Sequence, residues 1–248
     1  MSTDNNPSSA PLANPSPDSA PPPFRRVSAN QATVWLREGW ELFKRAPGIW
    51  IAILVVYLVI FAVASLIPFV GRLAVPLFVY VLLFGMLSGA RDLEAGKPLR
   101  IGHLFAGFGS PRMATLLLLG VLTQIAGFVI GMAMGLSATD ALLGGKAWEQ
   151  VFSSGASTMM LLVLHIPVYA ALHFAAPLVG FRGLTPIAAI KLSFAATLAN
   201  LVPLLLYGVL TVLLVIAGTV PLGLGLLVVL PMLMTSYYCM YRAIFPDD

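Results

Sequence analysis

Apolar residues along this chain gather into long unbroken runs, and polar residues are confined to the stretches between them. Six runs, at about 48–67, 70–90, 113–136, 158–180, 200–219 and 221–241, each approach the ~20 residues that a helix needs to cross ~30 Å of hydrocarbon. The last two abut without a charge between them. The 218–225 stretch, with Gly218, Pro221, Gly223 and Gly225, predicts the turn that separates them.

Between the runs the period changes to that of an amphipathic helix. In 28–45, Trp35, Leu36, Gly39, Trp40, Leu42 and Phe43 share one face, opposite Arg37, Glu38, Glu41, Lys44 and Arg45. Ser28 and Gln31 have capping-box spacing, Glu41 and Arg45 form an i,i+4 pair, and Pro47-Gly48 ends the helix. This pattern suits a helix lying in the headgroup layer. A second segment, 98–108, aligns Ile101, Leu104, Phe105 and Phe108. A third, 186–199, opens with Thr185 as a cap and Pro186 at the first helical position. The predicted architecture is all-α: a polytopic membrane helix bundle of six transmembrane helices, as three hairpins each preceded by an interfacial helix. Residues 1–27 carry seven of the nineteen prolines and read as a disordered cytoplasmic tail; 28–248 form the membrane domain.

Composition agrees with this reading. Of 248 residues, 59% are hydrophobic and 10% charged, with a mean hydropathy of +0.93, against about 25% charged in a soluble domain. Twelve of the fourteen basic residues fall on one side of the predicted bilayer, and only Arg72 and Lys146 fall opposite. The positive-inside rule therefore predicts cytoplasmic N- and C-termini. The net charge of +4 is parcelled between spans, which argues against a nucleic-acid partner; anionic lipid headgroups are the expected contact. The single Cys239 forms no internal disulfide and reads as a small buried residue.

Several stretches resemble a family of multi-pass membrane proteins of proteobacteria: REGWELFKRAPGIW (37–50), IPFVGRLA (67–74), GKPLRIGHLFAGF (96–108), APLVGFRGL (176–184), SFAATLAN (193–200) with Tyr207-Gly208, and SYYCMYRAIF (236–245). The resemblance covers nearly all of 28–245, in order. It implies a bacterial inner-membrane location and a six-span fold, and supplies no activity, substrate or cofactor. Span four departs from the pattern around His173, where the family is richer in aromatic residues.

Candidate chemistry inside the spans is sparse. Gly127, Gly131 and Gly135 on span three, and Gly85 and Gly89 on span two, have the small-xxx-small spacing of close helix packing, within one subunit or in a homo-oligomer. His165, Tyr169 and His173 make a polar stripe on span four, and Gln124 on span three, at similar depth, is expected to face it. The two histidines lie eight residues apart, a rise of ~12 Å, too far to share a metal ion; no metal and no cofactor is expected. Gly155-Ala156-Ser157 has the look of the glycine-flanked serine of intramembrane proteases. Every intramembrane histidine lies on that serine's own helix, however, so no catalytic residue is assigned. Ser193, Thr197 and Asn200 form a narrow polar seam, and Tyr237, Tyr238, Tyr241 and Phe245 surround Arg242 as an interfacial belt with the Arg snorkelling outward.

All ten acidic residues lie outside the predicted spans, which argues against proton- or sodium-coupled transport. The leading expectation is a non-enzymatic inner-membrane protein that organises or stabilises membrane protein or lipid partners. The alternative is an uncoupled carrier or channel for a small neutral or amphipathic molecule, lined by Gln124, His165, Tyr169 and His173.

Overall fold

The computed structural model describes residues 23–67, 70–143 and 146–246. It contains α1 (Gln31–Lys44), α2 (Pro47–Ser65), α3 (Val70–Glu94), a 3-10 turn at Ile101–Phe105, α4 (Met113–Ala133), α5 (Ala138–Leu143) and α6 (Lys146–Ser153). After these come α7 (Gly155–Leu172), α8 (Ala175–Arg182), α9 (Pro186–Ala199), α10 (Leu201–Thr219) and α11 (Leu226–Ile244). Among the described residues, six helical stretches are long and apolar enough to span a membrane: α2, α3, α4, α7 with α8, α10 and α11. The turn between the last two occupies 220–225. There Gly223 adopts φ +82°, a conformation that side chains disfavour, beside Leu222 at φ +54°.

The six spans divide into two sets. Spans α3 and α11 are 44% and 50% enclosed by protein, whereas α2 and α10 are only 11% enclosed. In the first and last pairs the second helix therefore sits inward, whereas in the middle pair α4 and α7 with α8 are enclosed to similar extents, 28% and 33%. At one end, α3, α8 and α11 meet through aromatic ring contacts: Phe84 edge-on to Phe181 at 5.1 Å, and Phe181 tilted against Tyr241 at 5.7 Å. The α2, α4, α7 and α10 helices leave rows of apolar side chains exposed, as a hydrocarbon surround requires.

The three intervening segments follow one rule. The 101–105 turn packs on α3, α9 packs on α7, and α1 packs on α11. Each thus rests on the second span of the pair preceding it in the chain, and the first segment closes the ring on the last span. Backbones come very close at these crossings. A Cβ on Gly39 would lie 2.5 Å from Ser236 Cα, and one on Gly85 would lie 2.4 Å from the Leu104 carbonyl oxygen.

Some sequence expectations change. The α1 helix begins at Gln31, so Gln31 occupies the first helical position and cannot reach back from the third; Asn30 precedes it without a side-chain cap. Glu41 pairs with Lys44 at 2.9 Å rather than with Arg45. The apolar face of α1 is turned onto protein: Trp35 is fully buried against α11 and lies edge-on to Tyr207 at 5.9 Å, while Trp40 stays exposed. The second segment is a short 3-10 turn, with Leu104 buried while Ile101, Phe105 and Phe108 face outward. The α3 helix continues through Glu94, which puts Asp92 and Glu94 on its last turn. Most of the proline-rich tail, 1–22, lies outside the described residues. Its last part, 23–27, is tied down: Arg25 N–H donates to Ile244 O at 2.7 Å, and Val27 N–H donates to Asn200 Oδ1 at 2.8 Å.

Candidate functional site

Span four is interrupted at His173-Phe174, between α7 and α8. In an unbroken helix Phe174 N–H would donate to Ala170 O. The Ser193 hydroxyl stands between them instead: it accepts from Phe174 N–H at 2.9 Å and donates to Ala170 O at 3.0 Å. Thr197, one turn along α9, also donates to Ala170 O, at 3.2 Å. A side chain inserted into the helical ladder is a recognised cause of a kink. One step further on, Pro177 has no N–H for the His173 carbonyl, and the Tyr237 hydroxyl donates there. The polar seam on α9 therefore serves the backbone of span four.

Asn200 completes the seam. Fully buried, it accepts from Val27 N–H and donates to Arg25 O at 3.0 Å and to Ala196 O at 2.9 Å. Arg182 reinforces the same strap, donating to Pro23 O at 3.0 Å and to Pro246 O at 2.7 Å. Its guanidinium also lies 5.6 Å above the Phe245 ring. Sequence alone placed Arg182 simply among the loop cations; nothing local indicates carbonyl partners 159 and 64 residues away.

The stripe on span four divides in two. His165 is exposed on the perimeter, and its Nδ1 contacts the Leu161 carbonyl in its own turn at 2.9 Å. His173 is half-buried and joins an aromatic group, with Tyr169 at 4.8 Å, Phe174 at 4.4 Å and Tyr237 at 5.4 Å between ring centroids. Gln124 is half-buried on α4. Beside it, Thr123 links α4 to Tyr80 of α3 at 2.9 Å.

The glycines also sort by surroundings. Gly85 and Gly89 press against residues of the 99–104 segment, Leu104 O at 2.4 Å and Leu99 Cδ1 at 2.8 Å from their added Cβ positions. Gly131 is buried. Gly127 and Gly135 have open space where a Cβ would stand, and Gly135 ends α4 at φ +81°. On α4 it is Gly120 that lies against the α3 backbone, at Leu77 and Pro76.

Arg242 does not snorkel. It bridges Glu38 of α1 at 2.8 Å and Glu94 of α3, whose other oxygen accepts from the Tyr238 hydroxyl at 2.7 Å. Tyr238 and Tyr241 are buried, so the predicted interfacial belt is core packing between α1, α8 and α11. A cavity of about 210 Å³ opens beside this network, bounded by Arg37, Glu41, Arg45 and Cys239. Nearby, Asp92 receives Lys97 at 2.9 Å and contacts His103 at 3.3 Å, which closes the 95–103 loop onto the end of α3.

Across 251 aligned positions the chain is 26% identical to a probable inner membrane protein of Burkholderia thailandensis, with 88% of this chain and 92% of that protein covered. The chain is a multi-pass membrane protein. No family model matches it, and no solved structure matches it. No group of three or more His, Cys, Asp or Glu residues able to hold a metal occurs among the described residues. The hydroxyls of Ser193, Thr197 and Tyr237 are all engaged with main-chain atoms of span four, an arrangement that holds a broken helix in place.

Proposed function

We propose that this protein is a non-enzymatic inner-membrane protein that organises lipid or protein partners through the end of the bundle that carries its termini. That end faces the cytoplasm in this reading. The observation that carries the proposal is the division of labour among its twelve basic residues. Arg182 and Arg242 turn inward onto carbonyls and carboxylates. Arg25, Arg26, Arg37, Lys44, Arg45, Arg91, Lys97, Arg100, Arg112 and Lys191 are exposed around them. Exposed cations at a membrane surface attract anionic headgroups by ~1 kcal/mol each. The main-chain engagement of the seam hydroxyls, and of His165 with Leu161, supports a scaffold over a carrier lined by the span-four stripe.

Two measurements test this. Reporter fusions at Asp248 and within 140–150 are expected to read cytoplasmic and periplasmic respectively; a periplasmic C-terminus refutes the orientation. Purification from native membranes, with identification of bound lipids and proteins, is expected to show anionic lipid enrichment that falls when Arg37, Arg45 and Arg100 are replaced by Gln. Equal lipid profiles for both proteins refute the basic face as the contact.

A further inference from the structure

Polar side chains are rare on the perimeter of the bundle. Among the described residues, His165 and Tyr169 are the exposed polar side chains that lie more than two turns from a span end, and they stand one turn apart on α7. His165 is ten residues from Gly155 and Tyr169 is thirteen from Arg182, the ends of this span. Each therefore lies at least ~15 Å inside it.

The two groups have opposite hydrogen-bonding character. His165 Nδ1 lies 2.9 Å from the Leu161 carbonyl, which can only accept, so the proton sits on Nδ1 and Nε2 of the neutral ring is an acceptor. No donor reaches Nε2 among the described residues. Tyr169 is 62% exposed, and its ring packs against His173 while its hydroxyl has no acceptor among the described residues. Hydrocarbon satisfies neither group, and a polar group left unpaired in lipid is costly. This face calls for a partner that brings one donor and one acceptor a helical turn apart. A ligand bearing carbonyl oxygens alone would leave Nε2 unpaired, whereas a second copy of the same face brings both groups.

Spacing favours the second copy as well. Leu162, His165 and Tyr169 follow the three-and-four spacing of a coiled-coil seam, and Leu162 is 56% exposed. Copies inserted in the same direction present parallel α7 helices, related by a two-fold axis along the membrane normal. A seam knob enters a hole of four residues on the facing helix. For His165 that hole is made by Leu162, His165, Ile166 and Tyr169 of the second copy.

We propose that α7 is the contact between two copies of this chain, with the Tyr169 hydroxyl of each donating to His165 Nε2 of the other. The two-fold makes both bonds together. The contact is separate from the exposed basic residues at the end that holds the termini, so either reading can fail without the other.

The test measures energy transfer between labelled copies of the full chain in lipid vesicles, over a range of protein-to-lipid ratios. His165→Leu and Tyr169→Phe each remove both bonds of a pair, so each is expected to weaken association roughly tenfold, and the double variant no further. Mixing the two single variants restores one bond per mixed pair. That pair is expected to be about threefold tighter than either variant with itself. Both side chains are exposed, so the unfolding temperature of the monomer is expected to stay unchanged. Cross-linking decides independently of these variants. On oxidation in native membranes, Leu162→Cys is expected to give a disulfide-linked dimer, and Val209→Cys on the exposed face of α10 is not. The wild type, whose Cys239 is buried, is the blank. Overturning results are a wild type that is monomeric at every ratio, additive losses in the double variant, no gain in the mixed pair, or cross-linking through Val209→Cys but not Leu162→Cys. Native mass spectrometry that finds a quinone or a different subunit lost with His165→Leu also overturns the proposal.

Discussion

The Ser193 hydroxyl occupies the hydrogen bond that Ala170 would otherwise share with Phe174, at 3.0 Å from the one and 2.9 Å from the other. A side chain of α9 has thereby become part of the backbone ladder of span four. Ser193→Ala leaves Phe174 N–H unpaired in a fully buried setting, at a cost of about 1–3 kcal/mol. Thr197→Ala alone is expected to cost less, since Ala170 O keeps Ser193. The double variant should cost more than the sum, because Ala170 O then loses both donors. Thermal unfolding of the four proteins in one detergent measures this; additive effects would mean that the two hydroxyls do not share an acceptor.

This break also shows where sequence reading stops. The six spans were legible because each is a long apolar run, and length alone separates a crossing from a loop. The interruption at His173-Phe174 leaves no trace in hydropathy, since its cause is a hydroxyl nineteen residues away on another helix. Pro177 was the available local signal: it announces that the His173 carbonyl needs a donor, but not that Tyr237 supplies it. The amphipathic period of α1 specifies an apolar face, of which Trp35, Gly39, Leu42 and Phe43 are buried and Trp40 is not, and periodicity cannot tell acyl chains from a neighbouring helix. Gly39 carried the distinguishing hint, because close backbone approach has no use against lipid. Arg242 was misassigned for a related reason: its partners Glu38 and Glu94 lie 204 and 148 positions away in the chain.

Glycine substitutions are expected to discriminate the crossings from the open faces. A Cβ at Gly39 or Gly85 meets backbone atoms at 2.5 Å or less, so Gly39→Ala and Gly85→Ala must move a helix or the 101–105 turn. Such overpacking costs about 1–3 kcal/mol. Gly127→Ala meets nothing within 4 Å and is expected to leave the monomer's unfolding temperature unlowered. A lower unfolding temperature for Gly127→Ala, with Gly39→Ala neutral, would reverse the assignment of packing faces.

The Arg242 network joins α1, α3 and α11 and is expected to respond unequally to loss of its two acids. Glu94 accepts from both Arg242 and Tyr238, whereas Glu38 is held by Arg242. Glu94→Gln should therefore destabilise more than Glu38→Gln. Because these side chains are roughly a third or more exposed, each effect is expected to be about 1 kcal/mol or less, and smaller in high salt. Chemical unfolding at low and high ionic strength checks the order and its salt dependence; an equal, salt-independent loss would argue against charge pairing.

The strap at residues 23–27 offers the most direct readout, because trypsin cuts after Arg25 and Arg26 and both side chains are exposed. What protects the main chain there is its pairing, with Asn200 on one side and Ile244 on the other. Proteolysis of a folded protein requires the segment to open locally, so its rate follows the free energy of that opening. Asn200→Ala removes the acceptor for Val27 N–H and the donor to Arg25 O together, worth ~1–3 kcal/mol for two hydrogen bonds. Cleavage is expected to accelerate roughly tenfold. Asn200→Asp keeps the acceptor and loses the donor, and should fall between the two. Arg182→Gln, which weakens the grip on Pro23 and Pro246, should accelerate cleavage without affecting the bond at Val27. Equal cleavage rates in wild type and Asn200→Ala, measured below the unfolding temperature of each, would show that the strap is not held by the α9 seam.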